Sequence, residues 1–152
     1  MMISISEAIR EEGIVLDLKA QEKVAVIKEL VSVMVDLGLI QDEETFLVDI
    51  LKRENLESTG IGLGVAIPHA RTTATSELLL AFGRSAKGVD FNSLDGKPSH
   101  LIFLIAAPEE KKSHYIMALA RLSKILRKEE MRTRLSKAAT PAEVMEILKE
   151  AE

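Results

Sequence analysis

Cysteine is absent from this chain of 152 residues. Disulfide bonds, thiolate metal ligands and a cysteine nucleophile are therefore excluded for the chain itself. Long hydrophobic runs are also missing, because the longest strongly apolar stretch, Leu101 to Ala107, is far shorter than the ~20 residues of a membrane-spanning helix. The stretch from Met1 to Glu12 carries acidic side chains where a secretory signal would need a basic end and an apolar core. We therefore expect a cytoplasmic protein with no direct membrane insertion.

No extended basic block is present, and the formal net charge is −4. Only Lys124 to Arg134 is locally cationic, and Glu129 and Glu130 lie inside it. This pattern argues against a nucleic-acid partner and predicts a solvated helix face for that segment. Because 47% of the residues are hydrophobic and charges of both signs are scattered among them, we expect one globular domain over residues 1–152.

Nucleotide-binding motifs fail at specific residues of the glycine-rich segment Gly60-Ile61-Gly62-Leu63-Gly64. A dinucleotide fingerprint, G-x-G-x-x-G, would need glycine where Val65 or Ile67 stands, and the G-K-[ST] of a P-loop does not occur. The glycines then serve unusual backbone angles or the close approach of another group to the main chain. A bulged or kinked edge strand is the alternative explanation of the same spacing.

Helical periodicity dominates the first third of the chain. Ser4-Ile5-Ser6-Glu7 has the spacing of a capping box and predicts a brief helix that Gly13 ends, followed by a strand at Ile14 to Leu16. Two amphipathic helices are predicted, from Lys19 to Leu37 and from Asp42 to Glu54. Their apolar positions are Val24, Ile27, Leu30, Val31, Met34, Phe46, Leu47, Ile50 and Leu51.

Continuous apolar runs mark two strands further along, Leu78 to Phe82 and Leu101 to Ala106, and Asp95-Gly96 marks a turn between them. Strands that are apolar throughout are buried on both faces of a sheet covered by helices. Ser113 is expected to cap one further helix, and Thr140-Pro141-Ala142-Glu143 predicts the start of the last. Strands alternating with helices predict a three-layer α/β/α domain. The residues expected on the core side of the helix after Ser113 are Ile116, Leu119, Ala120, Leu122, Ile125 and Leu126.

His69 is the first candidate for a functional residue. Pro68 restricts Ile67 to extended geometry, which predicts a strand over Val65 to Ile67 with His69 just past its end. Strand ends are where α/β folds bind ligands, and a neutral imidazole there can act as base, metal ligand or nucleophile. A structural histidine is the alternative at this point.

Arg53 and His114 would add weight to this site if the fold brought them to His69. The guanidinium of Arg53 suits phosphate, but the same side chain could simply oppose the dipole of the helix it ends. His114 is expected in the first turn of a helix, beside unpaired N–H groups, or else as a surface histidine. His100 opens a strand and is expected to be structural. The three histidines lack the short spacings of metal sites, and G-x-S-x-G, the nucleophile elbow of hydrolases, is absent.

Taken together, these motifs resemble the phosphohistidine signature of the fructose- and mannitol-type enzyme IIA domains of the bacterial phosphoenolpyruvate-dependent sugar phosphotransferase system. The resemblance extends over nearly the whole chain. The segments that carry it are Arg53-Glu54-Asn55-Leu56, Thr59 to Ala70, Val89 to Gly96, His100 to Pro108, and His114 with Leu119-Ala120-x-Leu122.

This resemblance implies a mixed sheet flanked by helices, of the kind shared by phosphotransferase and anion transport proteins. It implies that His69 takes a phosphoryl group from the phosphocarrier protein HPr and passes it to a cysteine of an enzyme IIB domain, itself linked to a membrane IIC component. Arg53 would neutralise the phosphoryl group, and His114 would lie beside His69. We expect backbone N–H groups of Thr59, Gly60, Gly62 and Gly64 to border the phosphoryl group, with the glycines leaving room for it and for a partner.

No cofactor or metal is expected, because phosphoryl transfer needs alignment and charge stabilisation, and the phosphate arrives on a protein. Uptake of fructose or a related sugar is the favoured role. A regulatory protein like the nitrogen-related enzyme IIA, whose phosphorylation state controls its partners, is the alternative.

Overall fold

A mixed six-stranded sheet forms the centre of the molecule in a computed structural model that describes residues 3–152. Along the sheet the order is β1, β5, β6, β3, β2, and β4 also pairs with β6. The β5–β6 and β2–β3 pairs are antiparallel, whereas β1–β5, β3–β6 and β4–β6 are parallel. The strands are β1 (Ile9–Val15), β2 (Gly60–Gly62), β3 (Val65–Ala66), β4 (His69–Thr72), β5 (Leu79–Val89) and β6 (Ser99–Pro108).

Helices cover both faces of this sheet, so the predicted three-layer α/β/α arrangement is confirmed. The helices are α1 (Ile5–Ala8), α2 (Lys23–Asp36), α3 (Glu43–Leu56), α4 (Lys112–Leu126), α5 (Glu129–Lys137) and α6 (Pro141–Ala151). One core lies under α2 and α3, and the other lies under α1, α4, α5 and α6. No helix within residues 3–152 is long and apolar enough to cross a membrane.

The two cores use opposite faces of the same central strands, as the continuous apolar runs predicted. Ile102 and Leu104 of β6 pack toward α2 and α3, while Phe103 packs toward the other layer. There its ring stacks on that of Phe82, with centroids 4.5 Å apart. Burying side chains of this size stabilises the fold by about 1.5–3 kcal/mol each.

Three predicted helix starts can be compared with the observed caps. Asp42 accepts a hydrogen bond from the Thr45 N–H (3.1 Å), and Thr140 accepts one from the Glu143 N–H (3.2 Å), which confirms both starts. Ser113 was wrong as a cap, because α4 begins before it and Lys111 stands at the cap position without a side-chain hydrogen bond.

The first elements also differ from the prediction. Ser4 does cap a short helix, but α1 ends at Ala8, and Gly13 lies inside β1 rather than at a helix end. The pairing of β1 with β5 shifts register between Ile9 and Ile14, and glycine suits such an irregularity in a strand.

The predicted apolar stripes of two helices included residues that are exposed in the structure. Val24 in α2 is 42% exposed and Ile116 in α4 is 52% exposed. The segment Lys124 to Arg134 is not one helix face, because α4 ends at Leu126 and α5 begins at Glu129. The buried stripe of α4 consists of Ala118, Leu122, Ile125 and Leu126, which leaves Ala120 exposed.

Candidate phosphoryl-transfer site

An interruption in the sheet positions His69. β3 pairs with the first half of β6 and β4 with the second half, so the two form one strand broken at Ile67 and Pro68. Pro68 has no N–H, but its carbonyl still accepts a hydrogen bond from the Ile105 N–H (3.0 Å). His69 was expected just past the end of a strand; it is instead the first residue of the next short strand.

The break also determines which ring nitrogen of His69 is free. The Ile67 carbonyl lies 2.5 Å from Nδ1 of His69. Because a carbonyl oxygen can only accept, we assign the proton to Nδ1, which leaves the lone pair on Nε2. His69 is half-buried, and its Nε2 is the nucleophilic atom of the neutral ring.

Burial lowers the pKa of His69 below its usual value of 6.5, and the positive charge of Arg53 lowers it further. The hydrogen bond to the Ile67 carbonyl and the negative charge of Glu54 act in the opposite direction but do not reverse the net shift. The neutral, nucleophilic form of His69 is therefore favoured near neutral pH.

Arg53 makes a contact at the end of its helix and also lines a cleft. Its Nη1 donates to the carbonyl of Glu57 (2.8 Å), which satisfies the end of α3. The side chain also lines a cleft of about 600 Å³ together with Lys52, Arg71 and Tyr115. This cleft is rich in cations and borders the region of His69, as an anion site would require.

Tyr115, which the sequence reasoning did not single out, is the aromatic neighbour of His69. The two ring centroids lie 5.6 Å apart, with the ring planes inclined by 55°. His114 stands one residue earlier, half-buried in the first turn of α4 as predicted. The only tyrosine of the chain next to a candidate histidine was the available signal.

Glu54 was also missed as a contributor to the site. Its carboxylate is buried, forms a 2.7 Å ion pair with Lys23, and accepts hydrogen bonds from the N–H (2.9 Å) and hydroxyl (2.5 Å) of Thr59. The N–H of Gly60 donates to the hydroxyl of Ser58 (3.0 Å). The backbone N–H groups of Thr59 and Gly60 therefore already have acceptors within the protein. That they border a phosphoryl group stays a prediction.

The glycines instead shape a hairpin at the edge of the sheet. A Cβ on Gly60 would lie 2.2 Å from the Ser93 hydroxyl oxygen, so the room it leaves is filled by the protein itself. Gly62 (φ +90°) and Gly64 (φ +78°) have backbone angles that side chains rarely adopt. Both explanations of the segment are confirmed: β2 is an irregular edge strand, and its glycines serve unusual backbone angles and the close approach of Ser93. At Gly60 the room is occupied by Ser93 rather than left for a phosphoryl group.

His100 lies on β6, the strand that pairs with β4, but far from His69. Its Nδ1 is 2.8 Å from the carbonyl of Ser85. Because β4 aligns His69 with Ile105, five strand positions separate the two histidines, or about 17 Å along the strand. Within residues 3–152, no group of three histidine, aspartate or glutamate side chains is arranged to hold a metal ion.

A separate groove of about 560 Å³ runs along α4 on the side of the chain ends and contains Met117, Arg121 and Lys124. Among the described residues that line this groove there is no histidine. The candidate His69 lies elsewhere, next to the cleft that Arg53 and Tyr115 line.

Comparison with known proteins identifies the family of this chain. Residues 7–151 match the sequence model of the family described as phosphoenolpyruvate-dependent sugar phosphotransferase system, EIIA 2. A fructose-specific EIIABC component from Bacillus subtilis is 42% identical over 96% of this chain, and the chain spans only 23% of that protein. A fructose-specific EIIA component from Haloferax volcanii is 38% identical over 84% of this chain and 83% of its own length.

Solved structures share the fold. The nitrogen regulatory protein IIA-Ntr from Neisseria meningitidis superimposes with a TM-score of 0.87 at 31% identity, covering 95% of this chain and 98% of that one. Mannitol enzyme IIA from Escherichia coli, solved in complex with phosphorylated mannitol enzyme IIB, gives a TM-score of 0.77 at 26% identity, with coverage of 91% and 95%. The chain belongs to the EIIA type-2 family of the phosphoenolpyruvate-dependent sugar phosphotransferase system.

Proposed function

We propose that this protein carries a phosphoryl group on Nε2 of His69, receiving it from the phosphohistidine of HPr and passing it to a cysteine of an enzyme IIB domain. The observation that carries the proposal is the contact between His69 Nδ1 and the Ile67 carbonyl, which leaves Nε2 as the free nucleophile. The role that fits best is uptake of fructose or a related sugar, because two fructose-specific proteins are among the similar sequences.

Each transfer exchanges one bond to phosphorus for another. Nε2 of His69 attacks the phosphorus in line as the P–N bond of the donor breaks, and the donor imidazole keeps the electron pair. The attacking ring retains its proton on Nδ1, which donates a hydrogen bond to the Ile67 carbonyl. In the second transfer a thiolate of the acceptor attacks, and the P–N bond to His69 breaks. Such loosely bonded transfers depend on alignment and charge stabilisation.

Arg53 supplies the charge stabilisation. As a half-buried guanidinium near His69, it can bind two oxygens of the transferred group, and its charge favours the neutral ring before transfer. His114 is proposed as a second histidine of the site, through its place in the first turn of α4 beside Tyr115.

The partners are all proteins in this proposal. HPr is the donor, a IIB domain is the acceptor, and a membrane IIC component follows. Support for the acceptor comes from the E. coli mannitol enzyme IIA, which was solved with phosphorylated enzyme IIB. The much longer B. subtilis relative bears the designation EIIABC.

The central test is phosphorylation with phosphoenolpyruvate, enzyme I and HPr. We expect one acid-labile, alkali-stable phosphate per chain, lost in His69→Ala but retained in His100→Ala and, with slower transfer, in His114→Ala. Full labelling of a folded His69→Ala variant would show that another residue carries the phosphate.

Arg53 is tested by Arg53→Lys, which keeps the charge but loses the planar fork. We expect slower transfer with an unchanged circular dichroism spectrum. Wild-type transfer rates in Arg53→Lys would show that the guanidinium is not needed for transfer. Arg53 would then serve only the contact with Glu57 at the end of α3.

A regulatory function remains the second candidate, since the Neisseria protein that superimposes closely is a nitrogen regulatory protein. The two roles separate when the phosphorylated protein is mixed with fructose-type IIB domains. Transfer to IIB supports sugar uptake. Failure with every IIB tested, together with binding to a kinase or channel that depends on phosphorylation, supports regulation.

A further inference from the structure

The alternation of side chains along β4 places Arg71 on the same side as His69. Ala70 and Thr72 of this strand are buried, whereas His69 is half-buried and Arg71 is exposed. Because side chains two positions apart point the same way in a strand, the guanidinium of Arg71 and the imidazole of His69 leave the sheet on one face. β4 pairs with the central strand β6, so this backbone is held firmly.

Arg71 and Arg53 approach one cleft from different elements. Arg53 reaches it from the last turn of α3, and Arg71 reaches it from β4. Lys52 adds a third cation, against the acidic groups Asp49 and Glu109, so the charged lining has a net charge of +1. Two guanidinium groups on separate elements suit the oxygens of one phosphoryl group.

Tyr115 lines this cleft and also lies beside His69. Its ring lies against the imidazole, and its side chain lines the same cleft as both arginines. Burial raises the pKa of the Tyr115 hydroxyl, while the charges of Arg53 and Arg71 act to lower it, as expected for a phenol near both guanidinium groups.

Within residues 3–152, the Arg71 guanidinium has only one weak hydrogen-bond contact. Its Nη1 lies 3.4 Å from the carbonyl of Glu109, a long distance for a hydrogen bond. Arg53, by comparison, is held at 2.8 Å by the carbonyl of Glu57. Turning Arg71 toward an anion therefore breaks little that is already formed.

From this arrangement we propose that Arg71 and Tyr115 form the second wall of the phosphoryl site, with Arg71 binding phosphoryl oxygens alongside Arg53. The ring of Tyr115 covers one side of the phosphorylated imidazole and keeps water from the P–N bond. This inference rests on the proposed function of His69.

Single substitutions measured in the full chain separate the two roles. Arg71→Gln removes the charge from the cleft, and Arg127→Gln removes an equal charge from the exposed end of α4. We expect Arg71→Gln to accept phosphate from phosphorylated HPr about tenfold more slowly, because a charge-assisted hydrogen bond is lost. Arg127→Gln should transfer at the wild-type rate, and Arg71→Lys should recover part of the loss.

Tyr115 is tested by the lifetime of the isolated phosphoprotein, which is independent of any partner. Tyr115→Phe keeps the ring, and Tyr115→Leu removes it. We expect hydrolysis of the phosphohistidine to be unchanged in Tyr115→Phe and about threefold faster or more in Tyr115→Leu, because water gains access to phosphorus. A merely structural role for Tyr115 would change the melting temperature without changing hydrolysis of the folded protein.

Equal acceptance rates for Arg71→Gln and Arg127→Gln, or equal phosphohistidine lifetimes for Tyr115→Leu and the wild type, would overturn the part of the proposal concerned. A wild-type protein that is not labelled on His69 would overturn the proposed function as well. If the wild type is labelled on His69 but the Arg71 and Tyr115 variants behave like it, only the proposed roles of Arg71 and Tyr115 would be overturned.

Discussion

At the scale of the residue, His69 depends on three neighbours with separate tasks. The Ile67 carbonyl fixes the proton on Nδ1, Arg53 disfavours the charged ring, and Tyr115 lies against one side of it. Burial, the largest influence on the pKa of His69, acts together with Arg53 to keep the ring neutral. The neutral ring is the form that the proposed phosphoryl transfer requires.

The pKa of His69 should be measurable by NMR titration and should lie below 6.5. Arg53→Gln should raise this pKa toward 6.5 without reaching it, since burial remains and is the larger cause. Phosphate acceptance by the wild type should therefore persist as the pH falls just below 6.5, and should decline at a higher pH in the variant. An identical titration curve in Arg53→Gln would show that its charge does not act on His69.

The lowered pKa of His69 also affects the stability of the folded protein. Between pH 6.5 and the lower native pKa, the unfolded chain binds a proton at this histidine and the native protein does not. The contribution of His69 to stability is present above pH 6.5 and is lost as the pH falls through the native pKa. His69→Gln should weaken this part of the pH dependence in urea unfolding.

At the scale of the element, the hairpin of β2 and β3 is held to the loop after β5. Ser93 fills the space that a Cβ on Gly60 would need, and the Leu63 N–H donates to the carboxylate of Asp95 (3.1 Å). The Gly60 carbonyl accepts from the Leu94 N–H (3.3 Å). These contacts hold the segment that leads to His69, so its glycines act on the site through packing.

Gly60→Ala should destabilise the protein by about 1–3 kcal/mol, because the new methyl group overlaps Ser93 and its neighbours must move. Adding Ser93→Ala removes the atom at 2.2 Å and should restore part of the loss. Urea unfolding of the two single variants and the double variant measures this coupling. Additive losses would show that Gly60 and Ser93 are not in contact as described.

At the scale of the whole molecule, Glu54 ties several elements together behind the site. Lys23 begins α2 and pairs with Glu54 near the end of α3, and its Nζ also lies 3.5 Å from the Phe91 carbonyl. The two side chains of the pair are 18% and 3% exposed. Removing one charge of so buried a pair leaves the other without a partner in a poorly solvated place.

Glu54→Gln should lower the free energy of unfolding by about 2–4 kcal/mol, since it also weakens the hydrogen bonds from Thr59. The exposed pair Arg134–Glu150, also at 2.7 Å, offers a matched control. Glu150→Gln should change stability by less than about 1 kcal/mol. If Glu54→Gln and Glu150→Gln lower the free energy of unfolding by similar amounts, burial does not make the ion pair of Glu54 more important for stability than an exposed pair.

The sequence predicted the layers of the fold correctly, and it predicted the starts of helices correctly where the signals are local. Thr140 and Asp42 cap their helices through side chains that reach only three residues along the chain. Prediction failed where a distant contact decided the outcome. Gly13 has the appearance of a helix stop, but pairing with β5 makes it part of a strand.

The residues alone show that His69 follows a strand-forming segment and a proline, and that the chain contains no cysteine and no nucleotide-binding motif. Which side chains share the cleft next to His69 depends on how the elements pack together. Arg53, Arg71 and Tyr115 belong to three different elements, and parallel pairing with β6 together with packing of α3 and α4 brings them to one cleft. Local secondary-structure propensity does not predict this arrangement. The arrangement arises because helices must bury both faces of one sheet at the same time.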